Sequence, residues 1–175
     1  LDPGAFDGQE YRAYNVLPDA LLINFQSVNF SFRPDPVRRT IRILSDPVLA
    51  GVEIDNQMTL FSGGCSSRGS HISMDVSREA ERPRVIFSGK LANNCSEYQL
   101  LRSLLDGPAY ADATFRGLWE EQGGSIRGQL RLGPVPAGKT PLLSFKSPPL
   151  AELIRPVNKF SNNVMTRQIF LTLGA

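Results

Sequence analysis

The sequence predicts an α+β protein: an antiparallel, β-rich module, then a small α+β segment, then two C-terminal helices. Three observations carry that reading. Apolar and polar residues alternate from Tyr11 to Leu91, the period of half-buried strands. After Cys95 the apolar spacing lengthens toward that of a helix. The final stretches, "PLAELIRPVNKF" and "VMTRQIFLTLGA", are apolar on a helical period.

The β-rich module opens with "ALLINF" and "VNFSF". These set Leu21, Ile23 and Phe25, then Val28, Phe30 and Phe32, on alternate positions, predicting a hairpin around Gln26–Ser27. "RTIRIL" continues with Ile41 and Ile43 on one face, and "GVEIDNQMTLF", "HISMDV" and "RVIFSGKL" supply three more strands. Pro34, Pro36 and Pro47 mark edges and loops. The module should hold about five to seven short strands. "EYQLLRSLLD" fits strand and helix equally.

In "PAYADATFRGLWEEQGG", Pro108 suits a first helical turn, and Ala111, Phe115, Leu118 and Trp119 share a face. Gly123 and Gly124 supply the stop. "SIRGQLRL" alternates as a half-buried strand, "GPVPAGKTP" is a linker, and "LLSFKSPP" reads as a strand leaving it. Pro149 then opens a helix aligning Leu150, Leu153, Ile154 and Val157, which Pro156 should kink or end near Arg155. No internal repeat or low-complexity segment interrupts this order.

Composition narrows the function classes. The 175 residues are 41% hydrophobic and 21% charged, enough for a packed core. A net charge of +2, with arginines scattered apart from Arg38, Arg39 and Arg42 and no aromatics between them, argues against nucleic acid. No run of about 18 apolar residues could span a bilayer. "LDPGAFDGQEYRAY" reads as the interior of a longer protein, and the apolar C-terminal helix as part of a core that continues. The absence of a leader therefore does not decide the compartment.

Cys65 and Cys95 lack CxxC spacing, and His71, the single histidine, has no second ligand near it, so zinc is not indicated. Two readings are open: buried free thiols, or a disulfide. Turn residues beside each cysteine, at the ends of strand-like runs, favour the disulfide and with it an oxidising compartment.

Several apparent motifs fail on chemistry. "GGSIRG" lies between helix and strand without the GKS or GKT ending of a phosphate loop. "AGKTP" carries Pro141 where KTG needs a glycine. A Ser-His-Asp set would have to use His71 as its base. There remains "NKFSNNVMTRQIF", where Ser161, Asn162 and Asn163 stand together between two apolar helices. A helix cap explains one of the three. An S-x-N triplet recurs at Ser27-Val28-Asn29, so only its helical context singles out the second.

In that context "SPPLAELIRPVNKFSNNVMTRQIFLTLGA" closely resembles the S-x-N region of the class C low-molecular-mass penicillin-binding proteins, the D-alanyl-D-alanine carboxypeptidase/endopeptidases. "FSGKLANNCSEYQLL", "DGPAYADATFRGLWEEQGGSIRGQLRLG" and "ALLINFQSVNFSF" resemble the domains this family inserts between its first two active-site motifs. The resemblance implies that 1–96 is a β-rich inserted domain and 97–140 an α+β inserted domain. Residues 141–175 would then be the S-x-N segment of a truncated penicillin-recognising, transpeptidase-like domain.

It implies Ser161 as a catalytic proton relay, and Asn163 as a catalytic and substrate-binding donor to the acyl-amide carbonyl. It further implies no cofactor or metal, a periplasmic location, and a Cys65–Cys95 disulfide. Peptidoglycan peptides ending in D-Ala-D-Ala would be the substrate, and β-lactams would bind the intact parent. None of Lys90, Lys139, Lys146 and Lys159 has a serine three positions before it, so S-x-x-K is absent, as is KTG. The isolated chain is accordingly expected to be inactive. The rival reading is a non-enzymatic, disulfide-stapled binding module, which would leave no apolar helix unburied. The fragment reading instead expects Met165, Ile169 and Leu173 to lack a partner core.

Overall fold

The computed structural model describes residues 2–65, 70–77 and 82–174. Its first strand, β1 (Val28–Asp35), points Val28, Phe30 and Phe32 inward on strict alternation, all three fully buried. It pairs antiparallel with β2 (Thr40–Asp46) across a turn in which Asp35 accepts from the Arg38 N–H at 3.0 Å. On its other edge it pairs with β6 (Tyr98–Arg102), which settles the "EYQLL" ambiguity as strand. A second sheet holds β3 (Glu53–Phe61), β4 (His71–Ser77) and β5 (Arg84–Ala92) in the order β3-β5-β4. Its β4–β5 pair is antiparallel and its β3–β5 pair parallel.

The sheets meet through aromatic rings. Phe87 of β5 stands edge-on to Phe30 at 4.8 Å and to Phe32 at 5.0 Å, with no solvent exposure of its own. Ile41, Leu49, Val85 and Leu91 complete this core, and Ile43 packs on it as the alternation requires. The parallel pairing brings the ends of β3 and β5 together, and Asn93 N–H donates to the Phe61 carbonyl at 3.0 Å. Cys65 and Cys95, just past those ends, form a disulfide with Cα atoms 5.0 Å apart.

Helix α1 (Gly107–Glu121) starts where Asp106 accepts the Ala109 N–H at 3.0 Å, with Pro108 in its first turn. Gly123, at φ +81°, follows its end, as the paired glycines predict. The buried face is not the expected one. Tyr110, Ala111, Ala113, Thr114 and Gly117 are buried, whereas Phe115, Leu118 and Trp119 are exposed. Small residues win because the loop after β2 lies directly on the helix. Ala50 N–H donates to the Ala113 carbonyl at 3.0 Å, and a Cβ on Gly117 would stand 2.3 Å from the Val48 carbonyl oxygen.

Other expectations also change. The 20–25 segment is not a strand: Asn24, Phe25 and Gln26 form a turn with φ of 45°, 52° and 49°. Asn24 Nδ2 donates to the Ser27 carbonyl at 2.9 Å, a local bond that replaces strand pairing. "SIRGQLRL" and "LLSFKSPP" are irregular, although Arg116 ties the former to α1 through the Gly128 carbonyl at 2.8 Å. Helix α2 (Leu150–Lys159) runs through Pro156 instead of ending at Arg155. Proline removes one hydrogen bond there, and the carbonyl so freed belongs to Glu152 on an exposed face, open to water. Of the residues expected to stand bare on α3 (Asn163–Leu173), only Leu173 does. Met165 and Ile169 are half-buried, while Phe170 and Leu171 are exposed in their place.

The disulfide closes a loop with a sequence separation of 30. Replacing both Cys65 and Cys95 with alanine should lower the unfolding free energy by about 3–4 kcal/mol in the chain-entropy account. Denaturant unfolding of the oxidised and substituted chains measures it.

Candidate functional site at the α2–α3 corner

Helix α2 ends in a paired-bond stop. Asn162 N–H donates to the Val157 carbonyl at 3.0 Å and Ser161 N–H to the Asn158 carbonyl at 3.4 Å. That is the Schellman pattern, and it puts Ser161 in the left-handed position that glycine usually fills, here at φ +48°. Asn162 closes one helix and opens the next. Its Oδ1 accepts the Met165 N–H at 3.0 Å, making it the N-cap of α3, and its carbonyl accepts from both the backbone N–H and the hydroxyl of Thr166. Asn163 is the first residue of α3.

The three polar residues therefore divide into two kinds. Asn162 is committed to the fold. Ser161 and Asn163 are exposed, and no side-chain hydrogen bond holds either among the described residues. A serine in left-handed backbone costs roughly 1–2 kcal/mol where a glycine would cost nothing. Lys159 brings positive charge beside the corner, its Nζ 5.5 Å from the Phe160 ring centre.

The corner is positioned by two contacts. Val157 and Val164, on either side of it, are buried. α3 packs on the 3₁₀ turn Ala13–Asn15. That turn is fixed by Asp7, a residue the sequence reading passed over. Asp7 accepts from Tyr14 Oη at 2.7 Å, from Asn15 Nδ2 at 2.7 Å and from the Gln9 N–H at 2.9 Å. The Tyr14 hydroxyl, with these N–H groups, holds the Asp7 carboxyl below its usual range, and the same bond raises the Tyr14 phenol.

The two larger hollows among the described residues lie away from the corner: a groove of about 600 Å³ between α3 and the N-terminal segment, and a cleft of about 710 Å³ at the start of α1. Neither is lined by Ser161 or Asn163. His71, the only histidine, is exposed on β4 and shares a hydrogen bond with Ser73 at 2.9 Å. Among the described residues no cluster of His, Cys, Asp and Glu could hold a metal, and no helix is long and apolar enough to cross a membrane.

The profile of one protein family, described as D-Ala-D-Ala carboxypeptidase 3 (S13), matches residues 2–175. Two solved structures of penicillin-binding protein 4 (dacB) from Haemophilus influenzae share the fold. One, complexed with a β-lactam, is 20% identical at a TM-score of 0.61, covering 90% of this chain and 35% of that one. The other is 21% identical at a TM-score of 0.62, covering 91% and 34%. The chain thus spans about a third of the length of these structures. No curated protein matches it.

The corner makes two opposite stability predictions. Ser161→Gly should leave stability unchanged or raise it by up to about 1 kcal/mol. Asn162→Ala should lower it by about 1 kcal/mol, both read by thermal or urea unfolding. A third prediction concerns acid. Because the folded pKa of Asp7 is depressed, its stabilising contribution is present above the unfolded pKa and lost as pH falls through the folded one. NMR titration should find Asp7 below free aspartate, and Tyr14→Phe should move it back up.

Proposed function

The chain belongs to the D-Ala-D-Ala carboxypeptidase 3 (S13) family, and from that premise we propose the role of its α2–α3 corner. The corner is the S-x-N element of a periplasmic, serine-type D-alanyl-D-alanine carboxypeptidase/endopeptidase. The parent enzyme hydrolyses peptidoglycan stem peptides ending in D-Ala-D-Ala through an acyl-enzyme, and β-lactams acylate the same nucleophile. Residues 141–175 belong to its catalytic domain, with 1–96 and 97–140 as inserted domains. Leu104, Tyr110 and Ala113 share a core with Val28 and Phe87, so under this division the two segments would be packed on one another.

The observation that carries this reading is the division of roles at the corner. The middle residue is spent on capping, while the outer two leave a hydroxyl and a carboxamide free. In the proposed mechanism Ser161 Oγ passes a proton between the nucleophile and the leaving amine. Asn163 donates its side-chain N–H to the substrate's acyl-amide carbonyl and keeps the peptide in register. The nucleophile, its lysine and the carboxylate-binding strand come from S-x-x-K and KTG motifs that this sequence lacks. Exposed Phe170, Leu171 and Leu173 weigh against a self-contained binding module, which would bury them.

A fluorescent penicillin should label the full-length parent and leave this chain unlabelled. In the parent, Ser161→Ala should slow acyl transfer by roughly 10²–10⁴-fold, and Asn163→Ala by roughly 10²–10³-fold. Covalent labelling of any serine in this chain would sink the proposal, as would full activity of both variants in the parent.

A further inference from the structure

The cleft at the start of α1 has no part in the corner's chemistry. Its volume, about 710 Å³, falls within the roughly 300–1,000 Å³ of small-molecule sites. Among the described residues, the charged ones that line it are acidic: Glu10, Asp19 and Asp106. Asp106 is occupied in capping α1. Pro3, Leu17 and Pro18 give it apolar walls.

Two side chains converge at its floor, over Gly107. A Cβ at Gly107 would stand 2.5 Å from Asp19 Oδ2 and 2.9 Å from Gln26 Nε2, so only a glycine lets both side chains lie this close to its backbone and to each other. Asp19 uses its other oxygen to accept the Leu21 N–H at 2.8 Å. Gln26 is only 5% exposed, lines the cleft, and makes no side-chain hydrogen bond among the described residues. Its carboxamide atoms keep contact with the solvent of the cleft, and the residue is held on left-handed backbone at φ +49°.

We infer that this cleft binds the free amino terminus of a peptide, its ammonium on Asp19 Oδ2 and its first carbonyl on Gln26 Nε2. The match is chemical. An acidic lining selects a cation, and an acceptor beside a donor selects a cation next to a carbonyl. The terminal nitrogen and first carbonyl oxygen of a peptide lie about 3 Å apart, close enough to engage both groups at once. A simple alkylammonium would leave the carboxamide unsatisfied, and a carboxylate would be repelled. The apolar walls take the first side chain.

The test is a titration of the 175-residue chain with leucyl-alanine amide and with its N-acetyl form, followed by NMR. The free peptide should shift the Gln26 side-chain and Gly107 backbone signals saturably. Acetylation, which removes the charge, should weaken binding by about tenfold or more. Asp19→Asn keeps an oxygen for the Leu21 N–H and should weaken binding comparably. Gln26→Asn tolerates the left-handed backbone, should leave the melting temperature near its original value, and should weaken binding by withdrawing the carboxamide. Equal affinity for both peptides, undiminished binding by Asp19→Asn, or no shift at Gln26 and Gly107 up to roughly 10 mM would each overturn the assignment.

Discussion

The structure depends on the buried hydroxyl of Tyr110. Its ring has no solvent exposure, and its Oη donates to the Ser27 carbonyl at 2.8 Å while accepting from Asn24 Nδ2 at 3.3 Å. One side chain from α1 thus reaches the residue just before β1 and the first residue of the left-handed turn. It joins the helix to the sheets at the Ser27 carbonyl, which accepts from side chains. The packing of Phe87 on Phe30 and Phe32 supplies the larger apolar area, but area is non-directional. The Tyr110 bonds fix how α1 sits on that core, and so where Gly107 and Gln26 meet.

What the sequence made legible follows from this. Strand faces were readable, because Val28, Phe30, Phe32, Ile41 and Ile43 alternate and one face of each strand is buried. Both cysteines were readable as neighbours because each follows a strand, although the parallel β3–β5 pairing that aligns them has no local signal. The face of α1 was not. Its large apolar stripe faces solvent, and its small residues carry the contact, since close approach to the 48–50 loop matters more than the size of the side chain. "ALLINF" alternates like a strand, yet Asn24 finds better partners in Ser27 and Tyr110 than in a neighbouring strand. At the corner the residue types were legible and their division of roles was not, because it rests on which backbone groups α2 leaves unpaired.

Among the described residues, left-handed non-glycine backbone sits at the 24–26 turn, Arg39 and Ser161. At Arg39 it belongs to the β1–β2 turn, where such backbone is routine. The other two are different. Each is flanked by fixed bonds: Tyr110 Oη and Asn24 Nδ2 donate to the Ser27 carbonyl at the turn, and the Ser161 and Asn162 N–H groups donate to the Asn158 and Val157 carbonyls at the corner. Each also holds a polar side chain that makes no hydrogen bond among the described residues, Gln26 in one case and Ser161 in the other. Strain of roughly 1–2 kcal/mol per residue persists only where surrounding structure enforces it.

That shared pattern separates the two sites from the rest of the polar surface. Capping residues such as Asp106 and Asn162 spend their side chains on the backbone, lowering the energy of the fold they belong to. Gln26 and Ser161 do the reverse: the fold holds them in costly backbone and gets no hydrogen bond from their side chains. At Ser161, which is exposed, a glycine would relieve the left-handed backbone with little loss of packing. The Ser161 hydroxyl lies at an exposed corner, whereas Gln26 lies in the wall of the cleft at the start of α1, so the same backbone strain serves two different surroundings.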